Sequence, residues 1–147
     1  MFHIPSRFTI ARDCFSLFVE EKNKLRALLA SECQRVSLTT DTWTSIQNVS
    51  YLCLTTHFID SNWNVHKRIL NFSIVKSHKG INISNIVDLC MEEWDLSKVM
   101  CITVDNASSN DIAVQQLKKK LMKRNAFVLG GEAFSHGVFC SYSSINY

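Results

Sequence analysis

Two strand-like segments, each with an aspartate near its C-terminal end, constrain this chain more than any other feature. The first comprises residues 35–43 and contains Asp41, and the second comprises residues 99–106 and contains Asp105. If these segments form neighbouring parallel strands, the two carboxylates lie at the same edge of one sheet, because adjacent strands are only about 4.8 Å apart. The pattern therefore predicts a pair of acids that could share a divalent cation.

The strand patterns before and between these segments indicate how the sheet is built. Apolar, β-branched and aromatic residues predict three strands at about residues 35–43, 51–59 and 65–75. The short gaps between them favour an antiparallel meander. Alternation in the third strand predicts that three apolar residues share one of its faces, namely Leu70, Phe72 and Ile74.

The spacing of apolar residues then changes from every second residue to about every 3.6 residues, which predicts a helix over about residues 82–94. A helix that leaves the third strand and returns to the same sheet is a crossover. If the fourth strand, residues 99–104, docks beside the first strand and away from the second, it runs parallel to the first. A further helix is expected to begin near Ser108 and Asp111, which resemble a capping box.

The N-terminal part of the chain has a helical pattern of its own. Ser6 can serve as the N-cap, and apolar residues recur at helical spacing over about residues 7–30. This spacing predicts one long helix or two shorter ones, and it is too irregular for sustained coiled-coil heptads. We divide the chain into an N-terminal helical segment (1–32), a partial α/β core (33–129) and a divergent tail (130–147).

Composition excludes several classes of protein. With 147 residues, 46% of them hydrophobic and 20% charged, the chain is expected to fold as a domain and not to be disordered. Its six cysteines show no zinc-finger spacing, so we expect no zinc site and free thiols in a reducing compartment. We expect no signal peptide, because residues 1–30 are charged throughout, and no apolar run approaches the roughly 20 residues that a membrane span needs.

The candidate site residues each have an alternative interpretation. An aspartate between a strand and a helix is often a cap or turn residue, so the pattern alone leaves the roles of Asp41 and Asp105 open. The basic residues expected to contact nucleic acid are Lys118, Lys119, Lys123 and Arg124. Lysine and arginine make such phosphate contacts, although a basic run of this kind is more often a solvated helix face. The net charge of +3 permits a nucleic-acid partner without requiring one.

Both acidic segments resemble a known family. Residues 36–45 (VSLTTDTWTS) and 102–111 (ITVDNASSND) resemble the first and second acidic blocks of hAT-superfamily transposases, especially the plant Ac-like and sleeper-type proteins with a BED zinc finger. The similarity extends over about residues 4–132. The resemblance implies an RNase H-like core that cuts and joins DNA with three acids and two metal ions.

Within this resemblance, Asp41 and Asp105 match the first two catalytic and metal-binding acids, with Mg²⁺ or Mn²⁺ as the implied cofactor. The third acid of the family, a glutamate, has no counterpart here, and neither Glu93 nor Glu132 is assigned to that role. The family's BED finger and its C-terminal dimerisation region, through which longer relatives could find a dimer partner, are also missing. The implied fold is α/β: a truncated RNase H-like mixed sheet with three antiparallel strands, a crossover helix, a parallel fourth strand, a further helix and an N-terminal helix.

Two functions follow from the resemblance. The favoured one is a transposase-derived protein with a partial DDE-type DNA-cleaving and strand-transfer core, inactive alone because the third acid is absent. The alternative is a domesticated DNA-binding or regulatory protein without catalysis. Both imply DNA as a partner, a nuclear location and no membrane association. In a truncated sheet, the third or fourth strand would have an exposed edge, which predicts poor solubility.

Overall fold

The computed structural model describes residues 4–32, 35–75, 80–104 and 110–123. The described part of the chain divides into two compact units, Met1–Glu32 and Cys33–Tyr147. Its elements in chain order are α1 (Arg7–Glu32), β1 (Val36–Thr44), β2 (Ser50–Ile59), β3 (Val65–Ile74), α2 (Gly80–Glu93), β4 (Val99–Thr103) and α3 (Asn110–Lys123). None of these helices has the length and apolar character that a membrane-crossing segment requires.

The first unit is one continuous helix of 26 residues, α1. Its first turn is capped by Ser6, whose hydroxyl accepts a hydrogen bond from the Thr9 N–H at 3.2 Å. The Ser6 carbonyl accepts the first intrahelical bond, from the Ile10 N–H at 3.0 Å. The side chain therefore satisfies an N–H group that has no partner within the helix. These contacts confirm the predicted cap.

The second unit contains a four-stranded sheet in the order β3-β2-β1-β4. β1 pairs antiparallel with β2, and β2 pairs antiparallel with β3. β4 lies on the other side of β1 and runs parallel to it. Because α2 connects β3 to β4, it forms the crossover that a parallel pairing requires. The predicted mixed α/β sheet is thereby confirmed.

One face of the sheet carries the core. Leu38 in β1, Leu52 and Leu54 in β2, and Ile102 in β4 are all fully buried. The helices contribute buried stripes, which comprise Ile83, Val87, Cys90 and Met91 in α2 and Leu117 and Leu121 in α3. The buried residues recur about every second residue in the strands and about every 3.6 residues in the helices, as expected for a sheet covered by helices.

Specific polar contacts tie the elements of the second unit together. The buried Trp94, just after α2, donates its indole N–H to the Leu70 carbonyl of β3 at 3.1 Å. Lys120 in α3 pairs with Asp88 of α2 at 3.0 Å and donates to the Asn85 side-chain oxygen at 2.8 Å. These contacts hold α2 against its neighbours in the fold. Trp94 is thus part of the core.

The prediction that Leu70, Phe72 and Ile74 share a face of β3 is wrong. The pairing of β2 with β3 shifts between Leu54 and Thr55, so Leu70 is an extra residue in β3. Such a bulge interrupts strict alternation. Leu70 is consequently buried, whereas Phe72 and Ile74 are 59% and 67% exposed.

The second face of the sheet is largely exposed and strongly apolar. Register places Asp41 and Trp43 of β1 on this face together with their partners Cys53 and Tyr51. The large apolar side chains exposed on it are Trp43, Ile59, Val65, Ile69, Phe72 and Ile74. We call it the open face. Among the described strands, β3 and β4 are the edges, and the expected poor solubility stays a prediction.

Candidate metal site and nucleic-acid interface

Asp41 lies on the open face, near the carboxyl end of β1. The residues before and after it in the strand, Thr40 and Thr42, point to the core side, because successive strand side chains alternate between faces. Thr40 is buried, and its hydroxyl donates to the Thr103 carbonyl of β4 at 3.5 Å. Asp41 itself is exposed, and within the described ranges no hydrogen bond or ion pair engages its carboxylate.

The parallel pairing of β1 with β4 defines the surroundings of this carboxylate. Leu38 pairs with Ile102 and Thr39 pairs with Thr103. Val104, which follows, is 5% exposed. Asp105, the predicted partner acid of Asp41, lies outside the described residues. Asp41 and Asp105 each lie two positions beyond the last paired residues, Thr39 and Thr103.

Threonines form a polar row across the open face, beginning from Thr39, which lies two residues before Asp41 in β1. Thr39 is paired with Thr55 on one side and with Thr103 on the other. The Thr39 hydroxyl is 3.1 Å from Nε2 of His57, within hydrogen-bond distance. Burial lowers the pKa of His57, and the nearby charge of Lys67 lowers it further. The lowered pKa favours the neutral imidazole, which can either donate to the hydroxyl or accept from it.

Aromatic rings form a cluster on the open face around Trp43, which lies two residues after Asp41 in β1. Trp43 stacks on Tyr51 with ring centroids 5.7 Å apart, and Phe72 contacts both rings at 5.6 and 5.5 Å. Trp43 remains 38% exposed. This cluster was not identified from the sequence. Strand alternation indicates that residues 41 and 43 share a face, but the contacts with Tyr51 and Phe72 depend on the pairing of three strands.

Asp60, in the turn between β2 and β3, is an acid with several partners. Its carboxylate accepts hydrogen bonds from the N–H groups of Asn62 and Asn64, both at 2.9 Å, and lies 2.8 Å from Nε2 of His66. The bond to His66 lowers the pKa of Asp60 to about 2, with help from the Asn64 N–H. Asp60 and His66 thus stabilise the hairpin. In the part of the chain that the structure describes, no three acidic, histidine or cysteine side chains converge to hold a metal ion.

Three of the four predicted basic residues, Lys118, Lys119 and Lys123, lie on α3. Lys119 and Lys123 are exposed and four residues apart, so they lie on one side of the helix. Lys118 is half-buried, and Arg124 lies outside the described residues. Lys120, in contrast, is directed to α2, where it pairs with Asp88. The structure therefore separates the lysine that stabilises the fold from those left to solvent.

Comparison with known proteins gives a family for this architecture. The ZBED1 RNase-like domain family matches residues 39–133, a stretch that includes Asp41, Asp105 and the basic residues of α3. The chain is also 37% identical over 147 residues to a Zea mays protein named "Putative AC transposase". That alignment covers 99% of this chain and 18% of the maize protein.

BED zinc finger proteins are further relatives. RICESLEEPER 2 of Oryza sativa is 32% identical over 136 residues, which are 90% of this chain and 19% of the rice protein. DAYSLEEPER of Arabidopsis thaliana is 32% identical over 123 residues, which are 82% of this chain and 17% of that protein. The chain thus spans less than one fifth of the length of these relatives. Because the family match covers well over half of the chain and includes both acidic blocks, this protein belongs to the ZBED1 RNase-like domain family and is related to the hAT transposases.

Proposed function

We propose that this chain carries part of a metal-dependent DNA-cleaving and strand-transfer core, with Asp41 and Asp105 as its two metal-binding acids. The observation that carries the proposal is the parallel register of β1 and β4. Thr39 and Thr103 are paired, and each precedes one of the acids by two positions. If the parallel pairing continues for two more residues in both strands, Asp41 and Asp105 would be neighbours at the same edge of the sheet.

The character of Asp41 fits a hard cation such as Mg²⁺ or Mn²⁺. Its carboxylate is exposed and makes no hydrogen bond or ion pair with the described residues. Mg²⁺ is commonly held by one or two carboxylates, with water and phosphate oxygens completing the shell. Two neighbouring carboxylates without a cation repel one another, so that one of them tends to take up a proton. When bound, divalent cations stabilise the charge on the attacking and leaving oxygens of a phosphoryl transfer.

Residues around Asp41 would hold the site in shape. Thr40 anchors β1 to β4 through the Thr103 carbonyl, and the core packing of Leu38 and Ile102 fixes the strands behind it. Because the third acid implied by the family resemblance has no counterpart, we infer that the isolated chain binds metal weakly and does not complete strand transfer. Removal of one ligand of a two-metal site should abolish most of the rate.

DNA is the proposed partner, and the nucleus is the proposed location. The relatives named as a transposase and as BED zinc finger proteins support this assignment. On this chain, Lys119 and Lys123 form an exposed basic pair that can contact successive phosphates. Lys118 and Arg124 are the further phosphate contacts predicted from the sequence.

The metal proposal is tested by thermal stability with and without Mn²⁺. A ligand that binds only the folded state stabilises it by RT ln(1 + [L]/Kd), which is about 1.4 kcal/mol at ten times the dissociation constant. We expect Mn²⁺ to raise the Tm of the wild type but not of Asp41→Asn or Asp105→Asn. Asp95→Asn is the matched control, because Asp95 is exposed, and asparagine tolerates its positive φ of 54°. An equal Tm shift in all four proteins would refute the site.

The alternative function, a non-catalytic DNA-binding or regulatory protein, gains support from a relative in Talaromyces stipitatus named "Putative transcriptional regulator tpeD", which is 28% identical over 120 residues. The two functions differ in what DNA binding requires. Under the alternative, Lys119→Gln with Lys123→Gln weakens binding of duplex DNA, whereas Asp41→Asn and removal of Mn²⁺ leave it unchanged. Fluorescence anisotropy at several salt concentrations measures this, and each lost phosphate contact should reduce the salt slope by about one. Lys98→Gln, at an exposed position outside α3, is the control.

A further inference from the structure

Helix α1 carries a row of apolar residues, here called the seam. Counting Phe8 and Phe15 with the other apolar residues gives alternating steps of three and four residues, a repeat of 3.5, as in a two-stranded coiled coil. The seam positions in α1 are Phe8, Ala11, Phe15, Phe18, Leu25 and Leu29. Lys22 fills the one remaining position of the repeat. This is a different interpretation of the spacing from the one given in the sequence analysis, and the oligomeric state decides between the two.

The N-terminal part of this seam is open to solvent. Phe8, Phe15 and Phe18 are 75%, 66% and 58% exposed, whereas Leu25 is half-buried and Leu29 is buried. Covering such a row of large apolar side chains is favourable, because it removes their apolar area from water. A single helix has no core of its own, and most helical stability in proteins comes from packing of the apolar face.

We propose that this seam is a dimerisation surface, on which a second copy of the chain places its own α1 in parallel. Identical seams with a 3.5-residue repeat are self-complementary, because each side chain fits between four residues of the facing helix. The proposal does not depend on metal binding or on DNA. It also concerns a different region from the C-terminal dimerisation region that the family resemblance implies for longer relatives.

Charges beside the seam favour the parallel arrangement. If Phe8 and Phe15 take the first position (a) of their heptads, Glu21 takes position g and Arg26 takes position e of the next heptad. These two positions flank the seam and lie five residues apart. In a parallel dimer such residues from opposite helices meet, so that each Glu21, which accepts a hydrogen bond from Lys24 of its own helix at 2.9 Å, also faces the other chain's arginine. Lys22 then lies within the seam itself. One polar residue at such a position fixes register and lowers stability.

The exposed area indicates a weak dimer. An aromatic side chain offers roughly 150–250 Å², so the three exposed phenylalanines contribute on the order of 400 Å² at their observed exposures. A standard interface buries roughly 800 Å² per partner. We therefore expect a dissociation constant in the micromolar range or weaker, as for small transient interfaces.

The chain offers a matched pair of positions for the test. Phe18 and Leu17 are 58% and 59% exposed and adjacent, but only Phe18 lies in the seam. In sedimentation equilibrium of the full chain, we expect a reversible monomer–dimer equilibrium for the wild type. Phe18→Glu should weaken it at least tenfold, and Leu17→Glu should leave it within about twofold. Circular dichroism of both variants checks that the helix is retained.

Two further variants test the geometry of the seam. Lys22→Leu should tighten the dimer severalfold, because it replaces the polar seam residue. Glu21→Arg should weaken it, and the double variant Glu21→Arg with Arg26→Glu should restore it, since the swap recreates the interchain pair. A wild type with the mass of one chain at all concentrations would overturn the proposal, as would equal effects of Phe18→Glu and Leu17→Glu. Aggregation insensitive to Phe18→Glu would assign self-association to the open face instead and would also overturn it.

Discussion

The pairing of β4 with β1 makes a quantitative prediction about Ile102. Ile102 is fully buried and paired with the equally buried Leu38. Truncation of such a side chain to alanine loses both its transfer free energy and the contacts around the resulting cavity, typically 2–5 kcal/mol. For Ile102→Ala we expect about 3 kcal/mol, which corresponds to a decrease in Tm of roughly 6–12 °C for a chain of this size.

Met100 is the internal control for this prediction, because it lies in the same strand and is 50% exposed. Met100→Ala should reduce the free energy of unfolding by no more than about 1 kcal/mol. Urea denaturation followed by circular dichroism measures both variants. A double-mutant cycle of Leu38→Ala with Ile102→Ala should show a coupling of at least about 0.5 kcal/mol, as expected for residues in contact. Equal losses for Ile102→Ala and Met100→Ala, or strict additivity in the cycle, would refute the parallel pairing.

Three further predictions concern the hairpin and the open face. Trp63 has a positive φ of 64°, so Trp63→Asn should raise the free energy of unfolding by about 0.5–1 kcal/mol in urea denaturation, because asparagine tolerates that conformation better. The pKa of Asp60 is lowered to about 2, chiefly by His66. The ionised Asp60 therefore contributes its full stabilisation above its usual pKa of about 3.9, and this contribution is lost as the pH falls towards 2. In pH-dependent unfolding, the stability difference between wild type and Asp60→Asn should shrink over that range. The pKa of His57 is lowered by burial and by Lys67. The neutral imidazole therefore contributes its full stabilisation of the folded state above about pH 6.5, and this contribution decreases below that pH. His57→Gln should flatten the pH dependence of Tm between pH 7 and 5.

The order of the sheet could be predicted from the sequence because it depends on features that short segments show directly. Short gaps allow only antiparallel neighbours, and a helix between two strands permits a parallel return. The change of period near residue 80 marks the crossover helix, α2. Ser6 could likewise be identified as a cap, because its hydroxyl acts within its own turn.

The details of the open face could not be predicted in the same way. The extra residue in β3, Leu70, has no local signature, since its neighbours continue an ordinary alternation in the sequence. The contacts of Trp43 with Tyr51 and Phe72 depend on the register of three strands at once. The exposure of the seam on α1 depends on what packs against each helix face, which a helical period alone does not specify.

Core packing and the proposed metal site depend on the same register. Leu38 and Ile102 are both buried because Thr39 and Thr103 are paired beside them. A slip of one residue in β4 would move Ile102 to the open face, since strand side chains alternate, and would lose roughly 1.5–3 kcal/mol of burial. The spacing along the sequence between Leu38 and Ile102 is also the spacing between Asp41 and Asp105. If the pairing continues beyond Thr103, the register selected by core packing would therefore also place the two proposed ligands at equivalent positions.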